Sequence, residues 1–205
     1  MFERETAPPS LSPPAALNPN RLEAYGLDPA LLPDALAMRD WLLAEAARTH
    51  DLGQVLSGFA GCLNALGIPI DRLTNAIDAL HSEYSGIGRY WTLEGGATYE
   101  LFPHGAEADR LYAESPFAHV HRTREWLLLD LSQTPDDLFG VIPDLKAAGY
   151  RHYLVAPIFF TGGSQNGITF ATRAAGGFTE RGLRLLRFVM PTLVRPGGPL
   201  GQSSA

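Results

Sequence analysis

Residues 150–193, YRHYLVAPIFFTGGSQNGITFATRAAGGFTERGLRLLRFVMPTL, leave the chain few folds to choose from. The run 153–160 is apolar on both parities, with Tyr153, Val155 and Phe159 on one side and Leu154, Ala156, Ile158 and Phe160 on the other. A strand covered on both faces has that composition. The Gly-, Ser- and Asn-rich segment 161–167 turns the chain back. The return strand, 167–173, puts Ile168 and Phe170 on one side and Thr169, Ala171 and Arg173 on the other, so only one of its faces is fully apolar. After a second break at 174–177, Thr179 is placed to cap a helix, with Phe178 and Leu183 spaced as a hydrophobic staple.

The remaining elements are fitted around this unit. Residues 1–33 carry Pro8, Pro9, Pro13, Pro14, Pro19, Pro29 and Pro33 without sustained periodicity, and read as a disordered or loosely docked arm whose end is fastened by Leu27, Leu31 and Leu32. A helix is expected over 34–49, with Ala35, Met38, Leu42 and Ala46 on one stripe. A second follows, opened by Asp51 and Gln54 at capping-box spacing, carried by Leu52, Val55, Leu56, Phe59, Leu63 and Leu66, and ended by Gly67. Strands are expected at 72–80, in a hairpin of 89–93 with 97–102 around Glu94-Gly95-Gly96, and at 126–131. Short helices are expected at 107–113, 116–123 and 143–148, with a further helix start at Thr134-Pro135-Asp136-Asp137. The last helix covers 180–195, and Pro196 stops it before a disordered tail, 196–205. Hairpins with helices on their faces make an α+β domain over 34–195, built on a mainly antiparallel sheet.

Composition narrows the functions. A net charge of −6 lacks the basic face of a sequence-independent nucleic-acid binder, and no lysine or arginine run addresses an anionic membrane surface. The sole cysteine, Cys62, falls in the second helical pattern, so no disulfide framework or paired-cysteine metal site exists. The opening MFERETAPPS has no apolar core and is not a signal peptide, and no apolar run approaches the ~20 residues of a membrane span. A cytoplasmic location is expected.

Several phrases, in order, resemble the GAF-like domain that precedes the catalytic domain of bacterial class III adenylate/guanylate cyclases. They are Asp40-Trp41-Leu42-Leu43, Leu80-His81 with Tyr84 and Arg89-Tyr90-Trp91, Ser115-Pro116, Tyr153-Leu154-Val155-Ala156-Pro157 and Gly177-Phe178-Thr179, spread over 36–194. The resemblance implies a GAF-like fold: a central antiparallel sheet of about six strands, N- and C-terminal helices on one face, and short helices and loops over a pocket on the other. It also implies a regulatory role, as a small-molecule sensor or as a dimerising module. Pro196 ends the last helix and no cyclase sequence follows, so no cyclase activity is expected. Cys62 occupies a packing position, and no chromophore or other cofactor is expected.

Four kinds of chemistry compete with ordinary packing. His119-x-His121 with Glu125 has the spacing of a strand-borne metal site, but Ser115-Pro116 places it in a helix or loop, where surface histidines are the plainer account. No G-x-S-x-G elbow precedes a helix. Thr161-Gly162-Gly163-Ser164 joins two strands and does not open a helix, so it reads as a hairpin loop and not as a phosphate cradle. The fourth is a set of rings and bases: Arg89, Trp91, His104, Tyr112, Phe117, Trp126, His152 and Tyr153. Ordinary core is the plainer account of them, and the alternative is the apolar walls and polar anchors of a ligand pocket. Segment 104–149, poor in long elements, would roof that pocket. Strand alternation forbids Tyr90 and Trp91, or His152 and Tyr153, from sharing a face, and Trp91 and Tyr153 are expected to point inward and stack on a planar ring. Arg89 would meet an anionic group and His152 would exchange hydrogen bonds near neutral pH.

Three readings follow, in order: a non-enzymatic sensor binding a small molecule, an interaction module with a filled pocket, and a metal-dependent enzyme using His119, His121 and Glu125. A homodimer through the N- and C-terminal helices is expected, because Leu185, Leu186, Phe188, Val189 and Met190, with Trp41 and Leu43, exceed what one sheet contact needs.

Overall fold

The computed structural model describes residues 26–49, 51–78, 84–159 and 165–194. The proline-rich arm before residue 26 and the tail after 194 lie outside the described residues. A short 3-10 turn, Pro29–Leu31, leads into α1 (Leu32–Arg48) and α2 (Leu52–Ala65). Then follow β1 (Arg72–Asp78), β2 (Tyr84–Thr92), β3 (Gly96–Pro103), α3 (Ala106–Ala113), α4 (Pro116–Thr123) and β4 (Leu127–Asp130). The chain ends with α5 (Ile142–Ala147), β5 (His152–Phe159), β6 (Gln165–Thr172) and α6 (Glu180–Val194). The six strands form one sheet in the order β3-β2-β1-β6-β5-β4, and every neighbouring pair is antiparallel.

Local signals set the helix ends. The Asp51 carboxylate accepts the backbone N–H of Gly53 and Gln54 at 2.9 and 3.3 Å, and Gly67 closes the turn after α2 at φ 76°. The Ser115 hydroxyl accepts from the Ala118 N–H at 3.3 Å and starts α4. The Thr179 hydroxyl accepts from the Gly182 N–H at 3.2 Å and starts α6.

The two parities of β5 enter two different cores. Leu154, Ala156 and Ile158 join Ile168 and Phe170 beneath α1, α2 and α6, together with Leu42, Leu56, Phe59, Leu63, Leu185 and Leu186. Phe59 meets Phe170 edge-on, with ring centres 6.3 Å apart. Tyr153 and Val155 join Ala171 in a smaller core on the opposite face, with Val120 of α4, Leu131, and Ile142 and Leu145 of α5. Each fully buried aliphatic or aromatic side chain contributes about 1.5–3 kcal/mol, so both layers stabilise the sheet between them.

Two expectations are corrected here. No helix starts at Thr134, whose hydroxyl donates backwards to the Asp130 carbonyl at 2.7 Å. Residues 131–141 are turns, pinned by the Lys146 ammonium on the Thr134 carbonyl and the Asp136 carboxylate. The broad apolar surface of α6 is not a surplus either. Leu185, Leu186, Val189 and Met190 are buried within the chain, and Phe188 is half-buried with the Arg39 guanidinium 5.9 Å from its ring centre. Trp41 lies on Gly58, where a Cβ would come within 2.5 Å of the indole.

Candidate functional site

The face under α4 and α5 is the one the sequence assigns to a ligand. Gly167 leaves a slot in the sheet, and the Phe117 ring fills it so closely that a Cβ there would lie 2.3 Å from two ring carbons. Tyr153 is buried with a hydrogen bond to the Thr169 side chain, and burial pushes its phenol up to about 12. Thr74, whose register places it between Tyr90 and Thr169, has a buried hydroxyl with no partner. His121 ties the roof to the sheet. Its Nε2 lies 2.8 Å from the Asn166 carbonyl, which only accepts, so Nε2 carries hydrogen. In the neutral ring Nδ1 then accepts from the Tyr112 hydroxyl, also at 2.8 Å.

These bonds overturn the metal reading. His119 and His121 lie in α4, where two residues of separation turn side chains about 200° apart. Both nitrogens of His121 are engaged within the protein, and His119 packs edge-on against Phe139. Among the described residues no group of three His, Cys, Asp or Glu side chains is arranged to hold an ion.

The eight residues proposed from sequence do not share one space. Tyr112, Phe117 and Tyr153 belong to the roofed face. Trp91 does not join them: register pairs it with Leu73, Leu73 with Phe170 and Phe170 with Leu154, a row of the helix-side core, and Trp91 is 7% exposed there. Tyr90 is the residue of that pair on the roofed side, with the Arg72 guanidinium 5.8 Å from its ring centre. Trp126 is half-buried against the helix-side core, with the Arg187 guanidinium 5.4 Å from its ring centre. The His152 Nδ1 accepts from the Phe178 N–H at 3.1 Å, and its ring occupies the space beside Gly177, so it anchors the turn into α6. His104 is exposed between β3 and α3.

Arg89 is on the helix side as well, two residues before Trp91, and it borders a cleft of about 550 Å³ between the first turns of α2 and the β2–β3 ribbon. Asp51, Gln54 and Ser57 line the cleft with polar groups, while Leu52, Ala97 and Tyr99 supply apolar surface. Gly53 permits the helix to approach, since a Cβ there would be 3.1 Å from that of Ala97. The Arg89 Nη1 is buried and has no hydrogen-bond partner, and neither has the Oδ1 of Asn75, its cross-strand neighbour. Burial lowers the arginine's pKa from its ordinary value, and the charge of Asp51 raises it in part. Sequence reading picked out Arg89 but not Asp51 as its companion, although the capping-box spacing that identifies Asp51 was in view.

No family model and no curated protein matches the chain. Solved structures do resemble it. The phycoerythrobilin-bound GAF domain from a cyanobacterial phytochrome is 15% identical over 78% of this chain and 92% of its own, with a TM-score of 0.51. The Nlh2 GAF domain of A. aeolicus in an inactive state is 15% identical over 83% and 95%, at 0.49. A free methionine-R-sulfoxide reductase from Neisseria meningitidis in complex with its substrate is 13% identical over 76% and 84%, at 0.46. The fold is therefore GAF-like, as the sequence phrases imply.

Proposed function

We propose that this chain is a GAF-like regulatory domain that binds a small molecule and catalyses no reaction itself. The observation that carries the reading is the cleft at Arg89, a half-buried cation with an unsatisfied N–H beside apolar walls. Pockets that fix small ligands combine those two features. The kinship with domains that precede cyclase catalytic domains is part of the proposal and rests on the sequence phrases. The test is thermal unfolding of the protein with a panel of small metabolites, since a ligand present at 100 times its Kd adds about 2.7 kcal/mol to the native state. A compound that raises the midpoint in the unaltered protein supports the reading, and a panel without effect overturns it.

A second reading, an interaction module with a filled interior, is favoured by the roofed face, where Phe117 seats on Gly167 and His121 is bonded on both sides. The proposed homodimer through the first and last helices belongs to it. Phe188, half-buried beside the Arg39 guanidinium, is the α6 residue chosen to probe that contact. Light scattering at tens of micromolar, with and without Phe188→Glu, tests this: a monomer mass, or a dimer indifferent to the substitution, counts against it.

A further inference from the structure

We infer that the cleft between α2 and the β2–β3 ribbon takes a small, singly charged organic anion, with its carboxylate on Arg89 and its apolar body against Leu52 and Tyr99. The inference rests on the small-molecule reading and names the ligand's chemistry.

The first argument is an uncompensated charge. Arg89 is half-buried, and the structure gives it neither an ion pair nor a hydrogen bond. Asp51 is the nearest carboxylate to influence it, but no ion pair joins them. Asp51 is held elsewhere: its Oδ1 accepts the Gly53 and Gln54 N–H groups at 2.9 and 3.3 Å. Swinging it onto Arg89 would undo the cap of α2. The helix N-terminus itself is not the anion site, because the Val55 N–H is also taken, by the Asp51 carbonyl at 3.3 Å. The free donors are therefore those of the guanidinium, whose planar fork matches a carboxylate.

The second argument concerns the walls. Tyr99 is directly cross-strand from Arg89 on the same face, and it stands 73% exposed. A ring so placed beside a guanidinium covers whatever the guanidinium holds. Leu52, half-buried, closes the other side from α2. The Asp51 charge lies close enough to act on Arg89, so it repels a second negative charge on the ligand and favours a monoanion over a phosphate dianion.

The test follows backbone amide shifts by NMR on titration with benzoate, hexanoate, inorganic phosphate and benzyl alcohol, the last a neutral counterpart of benzoate. Benzoate and hexanoate are expected to move the amides of residues 51–57 and 97–99, with phosphate weaker and benzyl alcohol without effect. Arg89→Met is expected to weaken benzoate about 10- to 100-fold, the range for hydrogen bonds to a charged group. Arg89→Lys is expected to recover part of that loss. Should Arg89→Met fold poorly, Tyr99→Ser alters only an exposed ring and is expected to weaken benzoate several-fold with the melting point unchanged. Equal binding of benzyl alcohol and benzoate, or benzoate binding indifferent to both Arg89→Met and Tyr99→Ser, overturns the anion assignment. A neutral metabolite that stabilises the protein through this cleft does the same while leaving the sensor reading intact. The sensor reading falls only if no compound of any charge stabilises the chain.

Discussion

Gly167→Ala is a sharp test of how the roofed face is packed. In a strand interior, replacing glycine by alanine normally stabilises by roughly 0.5–1 kcal/mol, because glycine loses more backbone freedom on folding. Here the added methyl would lie 2.3 Å from the Cδ1 and Cε1 of Phe117, so reaching an ordinary contact of about 3.5 Å moves the ring by about 1.2 Å. That ring is wedged beside His121, 6.4 Å between centres, and His121 is held by two hydrogen bonds, so the roof resists. Overpacking of this kind costs about 1–3 kcal/mol. For a chain of this size that lowers the melting point by roughly 2–12 °C. Phe117→Ala alone removes a half-buried ring and is expected to cost about 2 kcal/mol, less than a fully buried phenylalanine. The double variant should then be more stable than the sum of the two losses predicts, by about 1–2 kcal/mol, because the alanine at 167 no longer meets a ring. Urea unfolding followed by circular dichroism measures all three. A stabilised Gly167→Ala protein, or strict additivity in the double variant, would refute the packing argument.

Thr179→Ala should destabilise by about 1 kcal/mol, read as a lower urea midpoint with unchanged slope, because it removes the acceptor for the Gly182 N–H at the start of α6. Gly177→Ala should cost more than Thr179→Ala, since φ is +59° and the new Cβ would sit 2.2 Å from the His152 ring; equal midpoints for the two variants would contradict this. Tyr153 has its pKa raised from 10.0 to about 12, so its protonated form stabilises the fold fully below pH 10 and that contribution is lost as pH rises toward 12. Comparing unfolding midpoints of the unaltered protein and Tyr153→Phe from pH 8 to 12 checks the sign: the difference should be flat below 10 and then move against the tyrosine protein.

Fold and site were not equally legible. The double parity of β5 was visible because Tyr153 to Ile158 carry apolar side chains on both sides, and the two sets enter separate cores. The caps at Asp51 and Thr179 were visible because a capping bond needs only a residue and its next few neighbours. Thr134 misled for the same local reason. Its spacing suits a cap, but its hydroxyl bonds back to the Asp130 carbonyl and the chain continues as turns, which nothing within the motif announces. The width of the α6 apolar surface was legible, whereas its use was not: whether Leu185 and Val189 meet a partner or α1 depends on where α1 lies.

The candidate site depended on long-range register, which no local pattern encodes. Alternation states that Arg89 and Trp91 share a side and that Tyr90 takes the other. It does not state which side carries the helices. That is decided where Trp91 meets Leu73 and, through it, Phe170, a residue 79 positions away in the chain. Once Trp91 is committed to the helix-side core, Arg89 must follow it, away from Tyr153 and toward the start of α2. The same helix start holds Asp51 as its cap, so its charge acts on the arginine without an ion pair between them. A half-buried charge bordering a cleft walled by leucine and tyrosine is the feature on which the proposed anion site rests.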